Sequence, residues 1–445
     1  MRGKWKLFSA AEPILDESLH LSNEIPMTTT LESVAEEASV ASCRRRVLII
    51  VENLPVPFDR RVWSEAKALS SNGYEVSVIC PKGKNASRSF EIIDGIHIYR
   101  HWLPKETKGK AGYLVEYSVA LFWELALSLP ILFTRGFDVI QGCNPPDLIF
   151  VLGGFYKLIC GKRFVFDHHD LGPELYEAKF HRRDWLWRLQ VRLERWTFQT
   201  ADAAIATNES YRRIAIHRGG INEDRSFVVR TGPNLSRIRP LPPNDQWKAG
   251  RQFMVAYVGV VGEQDGLDLL VDAVRHIYLE VKRDDIQFVI IGDGPALNSV
   301  INAAAVAGVS DAITFVGRVD DDSRLCTILS TADVCVNPDR PNPLNDMSTT
   351  IKIMEYMALG KPIVQFDLTE GRNSAQDASL YAMNADPADF GNKILELLGD
   401  PKRSREMGAF GLKRVEEVLS WEHEEKKLLD VYKAVFSTLG RTRKT

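Results

Sequence analysis

The chain has 445 residues, 45% of them hydrophobic and 26% charged, with a formal net charge of −3. That is enough apolar material for two domains with full cores, and neither a basic excess nor a module signature points to nucleic acid. The six cysteines (43, 80, 143, 160, 326 and 335) show neither Cys-x-x-Cys nor zinc spacing, which argues against a disulfide scaffold and fits reduced thiols in a cytosolic protein.

Residues 1–45 show no periodicity and no signal-peptide pattern. Ser, Thr, Glu and Ala dominate from Thr28 to Ser42, so a flexible extension is expected. Apolar, β-branched runs then alternate with helical patterns. Strands are expected at 47–51, 76–79, 96–99, 139–140, 164–166, 203–206 and 227–229, with helices at Val62–Ser71 and Leu186–Thr200 between them. Residues 232–250 hold three prolines after Pro233 and no periodicity, which predicts a linker. A second alternating series follows at 253–258, 288–291, 313–316, 334–336 and 362–366. From Ser420 a long helix carries an apolar stripe of Trp421, Leu428, Leu429, Tyr432, Val435 and Leu439 that could pack on either domain. The expected fold is α/β. It has an extension (1–45), a first doubly wound domain (46–235), a linker (236–250), a second doubly wound domain (251–420) and a C-terminal helix and tail (421–445).

Ligands of open α/β sheets bind beyond the carboxyl ends of the strands. After the first strand, the loop Glu52–Phe58 is stiffened by two prolines, and Asp59, Arg60 and Arg61 open the next helix. They are either acceptor contacts or ordinary capping and ion pairing. After the fifth strand comes Asp167-His-His-Asp-Leu-Gly-Pro-Glu174. Adjacent histidines in extended chain point opposite ways, so one imidazole aimed into a cleft and steadied by a carboxylate is favoured over a metal site. Cys143 is expected to be buried and inert. No carboxylate pair suited to a magnesium–diphosphate is evident, and no metal is expected.

In the second half, Gly259, Gly262, Gly292 and Gly294 follow strands and let backbone approach a ligand. The stretch Pro341–Asp367 combines a polar loop ending at Ser348, an expected N-cap, with Thr349 and Thr350, a short helix and a buried strand. A helix N-terminus can hold an anion, Lys352 adds a charge, and Glu355 lies on roughly the same side. A diphosphate at the tip with a hydroxyl-bearing group beside Glu355 would fit a nucleotide sugar, and an ordinary αβ unit with solvated Lys and Glu would fit as well. Two segments suggest membrane contact. Lys179–Trp196 places Trp185, Leu189 and Trp196 on one face edged by Arg188, Arg192 and Arg195, while Tyr113–Phe133 is apolar but carries Glu116, Glu124 and Pro130. Each also fits a buried or core-packed helix.

From Arg46 to Phe436 the order and spacing of four motifs resemble family 4 glycosyltransferases, retaining enzymes of GT-B fold, in the subgroup that builds bacterial surface and exopolysaccharides. The motifs are Pro55–Trp63, Phe166–Glu174, Gly292–Pro295 and Asn342–Val364. The resemblance implies transfer of a sugar from a nucleoside-diphosphate donor to a saccharide or lipid-linked acceptor, without a cofactor. It implies that His169 lies near the reacting sugar, that Glu355 holds the ribose, and that Gly259 and Gly262 border the donor phosphates. Lys352 matches a lysine common in the subgroup. Two positions depart from the pattern. A second glutamate of many relatives is Met347 here, with Asp346 a substitute if the loop shifts. The Arg/Lys pair after the glycine loop is replaced by Glu263-Gln-Asp265, so Lys352 and the helix tip would carry more of the diphosphate charge, with Arg318 or Arg324 as further candidates. A nucleotide-sugar 2-epimerase of the same architecture and a non-catalytic partner subunit are the competing readings. The expected location is cytoplasmic, with peripheral membrane contact through residues 179–196.

Overall fold

The computed structural model describes residues 45–83, 85–104 and 110–442. The expected N-terminal extension falls outside them, apart from Arg45. The first half forms β1 (Arg46–Ile50), α1 (Arg60–Ser71), β2 (Glu75–Pro81), β3 (Phe90–Ile93), β4 (Ile96–His101), α2 (Lys110–Thr134) and β5 (Val139–Cys143). It continues with α3 (Phe150–Cys160), β6 (Arg163–His168), α4 (Gly172–Phe180), α5 (Trp185–Thr200), β7 (Ala203–Ala206), α6 (Glu209–Ile214) and β8 (Ser226–Val228). The second half forms β9 (Phe253–Val258), α7 (Leu267–Arg275), β10 (Ile286–Ile291), α8 (Leu297–Val306), β11 (Ile313–Gly317), α9 (Asp322–Thr331) and β12 (Val334–Asn337). After these come α10 (Pro343–Met347), α11 (Ile351–Ala358), β13 (Ile363–Phe366), α12 (Thr369–Ala375), β14 (Ser379–Ala382), α13 (Pro387–Gly399), α14 (Pro401–Arg414) and α15 (Trp421–Thr442).

Two sheets result, ordered β3-β4-β2-β1-β5-β6-β7-β8 and β11-β10-β9-β12-β13-β14. Pairing is parallel throughout except between β3 and β4. Strand order reverses between β1 and β5 in the first sheet and between β9 and β12 in the second, and each reversal opens a crevice at the strands' carboxyl ends. The period of two along each strand sorts side chains onto two faces. In the first sheet Val47, Ile49 and Val139 meet α1 on one face, while Leu48, Ile50 and Ile140 meet α2, α3 and α5 on the other. In the second sheet Val255, Tyr257 and Phe288 pack on α7 and α13, while Met254, Ala256 and Val289 pack on α9 and α11.

Helix α15 settles the choice left open by its stripe. Trp421, Leu428, Val431, Tyr432 and Val435 are buried in the core of the first sheet, so the chain crosses back after completing the second. Between β8 and β9 the chain holds only a short 3-10 turn (Asp245–Lys248), and Leu235, Ile238, Leu241 and Trp247 pack on the second sheet.

Helix α2 runs through Pro130 without ending there. Ala120, Glu124, Ser128 and Ile131 form a buried stripe at helical spacing toward the sheet, and burial pushes Glu124 up to about 8, which keeps it neutral near pH 7. Leu121, Leu125, Leu127, Leu129 and Leu132 are half-buried against the same core, while Phe122 and Phe133 are exposed, and Tyr117–Thr134 is long and apolar enough to cross a membrane.

Candidate active site

Helix α11 begins at the carboxyl end of β12, beside the crevice of the second sheet. Its N-cap is Thr350, not Ser348 as expected. The residues before it coil into α10, capped by Asn342, and the Ser348 hydroxyl is spent on the Leu344 carbonyl at 2.7 Å. Thr350 donates its hydroxyl to Asp339 (3.0 Å) and does not cap the helix, so among the described residues no side chain is seen on the first N–H groups of α11. Such a terminus is open to an anion.

Lys352 stands in the first turn but is not a free cation. Its buried Nζ donates to Asp339 (2.9 Å) and to the Tyr257 hydroxyl (3.3 Å), lies 3.9 Å from Asp265, and sits over the Tyr257 ring at 4.5 Å. Burial lowers its proton affinity, but Asp339, Tyr257 and Asp265 outweigh that and leave it raised, so Lys352 stays charged. Asp265 and Asp339 are also the close carboxylate pair that spacing alone did not reveal, and the Lys352 ammonium fills the place of a cation between them.

The glycine pair after β10 has a packing reason. At Gly292, φ is +146° and an added Cβ would sit 1.8 Å from the Gly259 carbonyl oxygen; at Gly294 it would sit 2.5 Å from that of Val261. The two glycine loops therefore cross in backbone contact, at the edge shared by β9 and β10. Gly262 donates its N–H to Asp265 (2.9 Å), which fixes the loop that carries this carboxylate toward Lys352.

Glu355, one turn further along α11, is buried and accepts from Arg60 of the first domain at 3.1 Å. The expected ribose ligand and an expected acceptor contact thus meet across the cleft. Burial raises the Glu355 carboxyl, and Arg60 works against that. Other groups bridge the cleft nearby. Asn208 Nδ2 donates to the Met347 carbonyl (2.8 Å) and the Thr349 hydroxyl (2.9 Å), and the Tyr211 hydroxyl lies 3.2 Å from that of Ser348. Met347 packs with Leu171, Tyr211 and Leu344. Asp346 accepts from the Thr369 N–H (2.8 Å) and hydroxyl (3.0 Å), so it holds the start of α12.

In the first domain, Asp59 caps α1 by accepting from the Val62 N–H at 3.0 Å. Arg61 does not face an acceptor. It is buried, with Nε and Nη2 on Asp167 (3.3 and 2.7 Å), Nη1 on the Val229 carbonyl and Thr231 hydroxyl, and Glu65 at 3.2 Å. Alternation along β6 separates the histidines. His168 turns into the core against Phe166, Phe198 and Tyr211, and burial pulls it down to about 3, so it is neutral. His169, one residue past the strand, is only half-buried, with Nε2 2.6 Å from Asp167 Oδ2. Burial disfavours its charge, but the Asp167 carboxylate prevails and the imidazole is held above its usual range. Asp167, despite burial, is held well below the carboxylate range by Arg61 and His169.

Behind this trio lies a polar chain with no sequence signal. Gln141 Nε2 donates to Glu65 (2.7 Å) and to Asp167 (3.2 Å), and Gln141 Oε1 accepts the hydroxyl of Tyr432 on α15. A tyrosine in an apolar stripe carries no mark of such a role. Cys143, Asp167 and His169 place ligand-type atoms within 4.8 Å of one another. The donor set does not suit a cation, because Arg61 already neutralises Asp167. Burial and the neighbouring carboxylates hold the Cys143 thiol well above its usual range, in its neutral form, as expected of an inert cysteine.

The described geometry thus defines two α/β domains facing a cleft, with an anion-receptive helix tip in the second and the paired His169 and Asp167 in the first. A family model described as "Glycosyl transferases group 1" matches residues 252–400, and one described as "Glycosyltransferase Family 4" matches residues 59–237. The alpha-maltose-1-phosphate synthase of Mycolicibacterium smegmatis is 25% identical over 309 residues, 64% of this chain and 76% of that one. Sucrose-phosphate synthase from Thermosynechococcus elongatus superposes with a TM-score of 0.74 at 19% identity, over 89% of this chain and 100% of that one. Anabaena Alr3699/HepE in complex with UDP and glucose superposes with a TM-score of 0.65 at 13% identity, over 88% and 100%. The fold is GT-B and the protein is a glycosyltransferase. Within that class, the chain belongs to the family 4 glycosyltransferases.

Proposed function

We propose that the enzyme transfers a sugar, with retention, from a nucleoside-diphosphate sugar on the second domain to a saccharide acceptor held by the first. The observation that carries this reading is the convergence at the β9/β12 crevice of an uncapped helix tip, two crossing glycine loops and Glu355. The diphosphate lies at the α11 tip, and the ribose hydroxyls donate to Glu355. The bond from the anomeric carbon to the diphosphate breaks with its electron pair on the phosphate. The acceptor oxygen bonds the same face of the sugar, and its proton passes to the departing phosphate oxygen. Fixed helix dipoles stabilise the leaving charge without reorganisation. His169, steadied by Asp167, serves as the group nearest the reacting sugar. Closure of the cleft limits hydrolysis. The UDP and glucose in complex with Anabaena Alr3699/HepE support a donor of this type.

We further propose that the acceptor is lipid-linked, that the product is a surface polysaccharide, and that the enzyme works at the inner face of a membrane. Helices α2, α3 and α5 lie side by side, joined by the Ser128–Tyr156 hydroxyl pair and the Phe150–Trp196 ring contact. They expose Phe122, Phe133 (82%), Leu158 (85%), Ile159 and Trp196. Arg192 and Arg195 border a cavity of about 360 Å³ beside Trp196. Apolar side chains edged by arginines support contact with an anionic bilayer.

The deciding experiment incubates the protein with nucleotide sugars, with and without lipid-linked saccharides. Transfer with retained configuration supports the proposal. Donor isomerisation without acceptor, or binding without turnover, overturns it in favour of an epimerase or a non-catalytic subunit.

A further inference from the structure

A nucleoside diphosphate brings two or more negative charges to a wall that has little to offset them. The loop after Gly262 is Glu263-Gln-Asp265, without a cation. Lys352 is shared between Asp339 and Asp265, so that cluster is net negative. Among the second half's arginines, Arg237 is bidentate on Asp322, Arg340 is on Asp268, Arg318 is on Asp320, and Arg324 lies over the Trp247 ring at 5.8 Å. A helix dipole amounts to about half a charge, which falls short of a diphosphate.

Across the cleft stands Arg60, at the first position of α1. Its side chain is 48% exposed, and its recorded ion-pair partner is Glu355. That carboxylate is also the group the proposed donor's ribose would claim. Arg61, one residue on, is locked beneath the cleft by Asp167 and Glu65 and cannot serve.

We propose that Arg60 is a catalytic residue that exchanges partners. It holds Glu355 while the donor site is empty and moves onto the diphosphate when ribose hydroxyls take Glu355. The assignment rests on the nucleotide-sugar reading above. Glu355 lies four residues from Ile351 at the helix tip, about 6 Å along the axis. An arginine covers that span by changing rotamer. Its planar fork then binds two phosphate oxygens at once, which a lysine cannot. The exchange makes the second domain's lost cation a loan from the first domain, present only when the cleft is closed. Hydrolysis of the donor in the open form is thereby disfavoured, because the leaving group is under-neutralised until both walls meet.

The test is binding to the full chain of UDP, GDP and ADP and of the matching nucleosides, measured by calorimetry or ligand-observed NMR for wild type, Arg60→Ala and Arg60→Lys. The expected result for Arg60→Ala is about tenfold or greater weakening of the diphosphate that wild type binds. The matching nucleoside, freed of competition for Glu355, binds equally well or more tightly, and Arg60→Lys is intermediate. Equal weakening of nucleoside and diphosphate would mark a merely structural role and overturn the exchange. So would unchanged binding of both in Arg60→Ala when wild type binds the diphosphate. Wild type that binds none of the six ligands would instead overturn the donor reading, and the exchange with it.

Discussion

Asp167→Asn tests the first-domain charge cluster most directly. Asp167 is fully buried and faces the Arg61 guanidinium at 2.7 Å and the His169 imidazole at 2.6 Å. Removing one partner of a buried ionic set typically costs about 3–5 kcal/mol, because the remaining charges stay desolvated without compensation. The pH dependence sharpens the test. Above about pH 4 Asp167 is ionised in folded and unfolded chains alike, so its contribution is complete there and is lost only as pH falls toward its depressed folded value. His169 has the opposite sign. Its raised value means stability fully present below about pH 6.5 and lost as pH rises through the folded value. Glu65, pushed up to about 8 by burial and by Asp167, adds to the same alkaline loss. The variant removes the cause of the His169 shift and weakens the Glu65 one, which burial sustains. Its deficit against wild type is therefore largest near pH 6 and narrows toward pH 9, and its own profile is flatter. Urea unfolding from pH 5 to 9, with a ring-proton NMR titration of His169, measures both effects. Parallel pH profiles, an unmoved His169 titration or a loss below about 1 kcal/mol would refute the cluster as described.

Three further outcomes are expected. Tyr432→Phe leaves the buried Gln141 Oε1 unpaired and should cost about 1–3 kcal/mol, with kcat falling more than donor binding; unchanged stability in urea would show that α15 does not support the site. Gly292→Ala drives a methyl group into the Gly259 carbonyl and should cost about 1–3 kcal/mol while weakening nucleotide affinity, as calorimetry would read; a silent variant would contradict the loop crossing. Phe133→Glu with Leu158→Glu removes two exposed apolar groups of about 1.5–3 kcal/mol each and should abolish co-sedimentation with phosphatidylglycerol vesicles; retained binding would place the membrane contact elsewhere.

Much of the fold is legible in the sequence because buried parallel strands are dense apolar runs, and those runs appear where β1, β2, β5–β7 and β9–β13 stand. Strand β3 escapes because it is a short edge strand that exposes Phe90 and Ile92, so its pattern carries no core signal. The His168 and His169 distinction follows from strand alternation alone. Arg60 and Arg61 cannot be told apart this way. They open a helix about 100° apart, and only the position of β6 decides which one reaches Asp167. Lys352 shows the limit most clearly, since its partners come from two other loops, at Asp339 and Asp265. Spacing within α11 reveals a lysine near a helix tip but not the carboxylates that claim it.

The return of α15 has a consequence for biosynthesis. The first sheet is made early, yet Gln141 meets its hydroxyl donor 291 residues later, after the whole second sheet has been translated. Until then the groove that receives Trp421, Leu428 and Tyr432 stands open and apolar, a surface for chaperones to hold. The histidine is thus braced last, and a prematurely terminated product would carry every residue of the cleft while lacking the brace behind it.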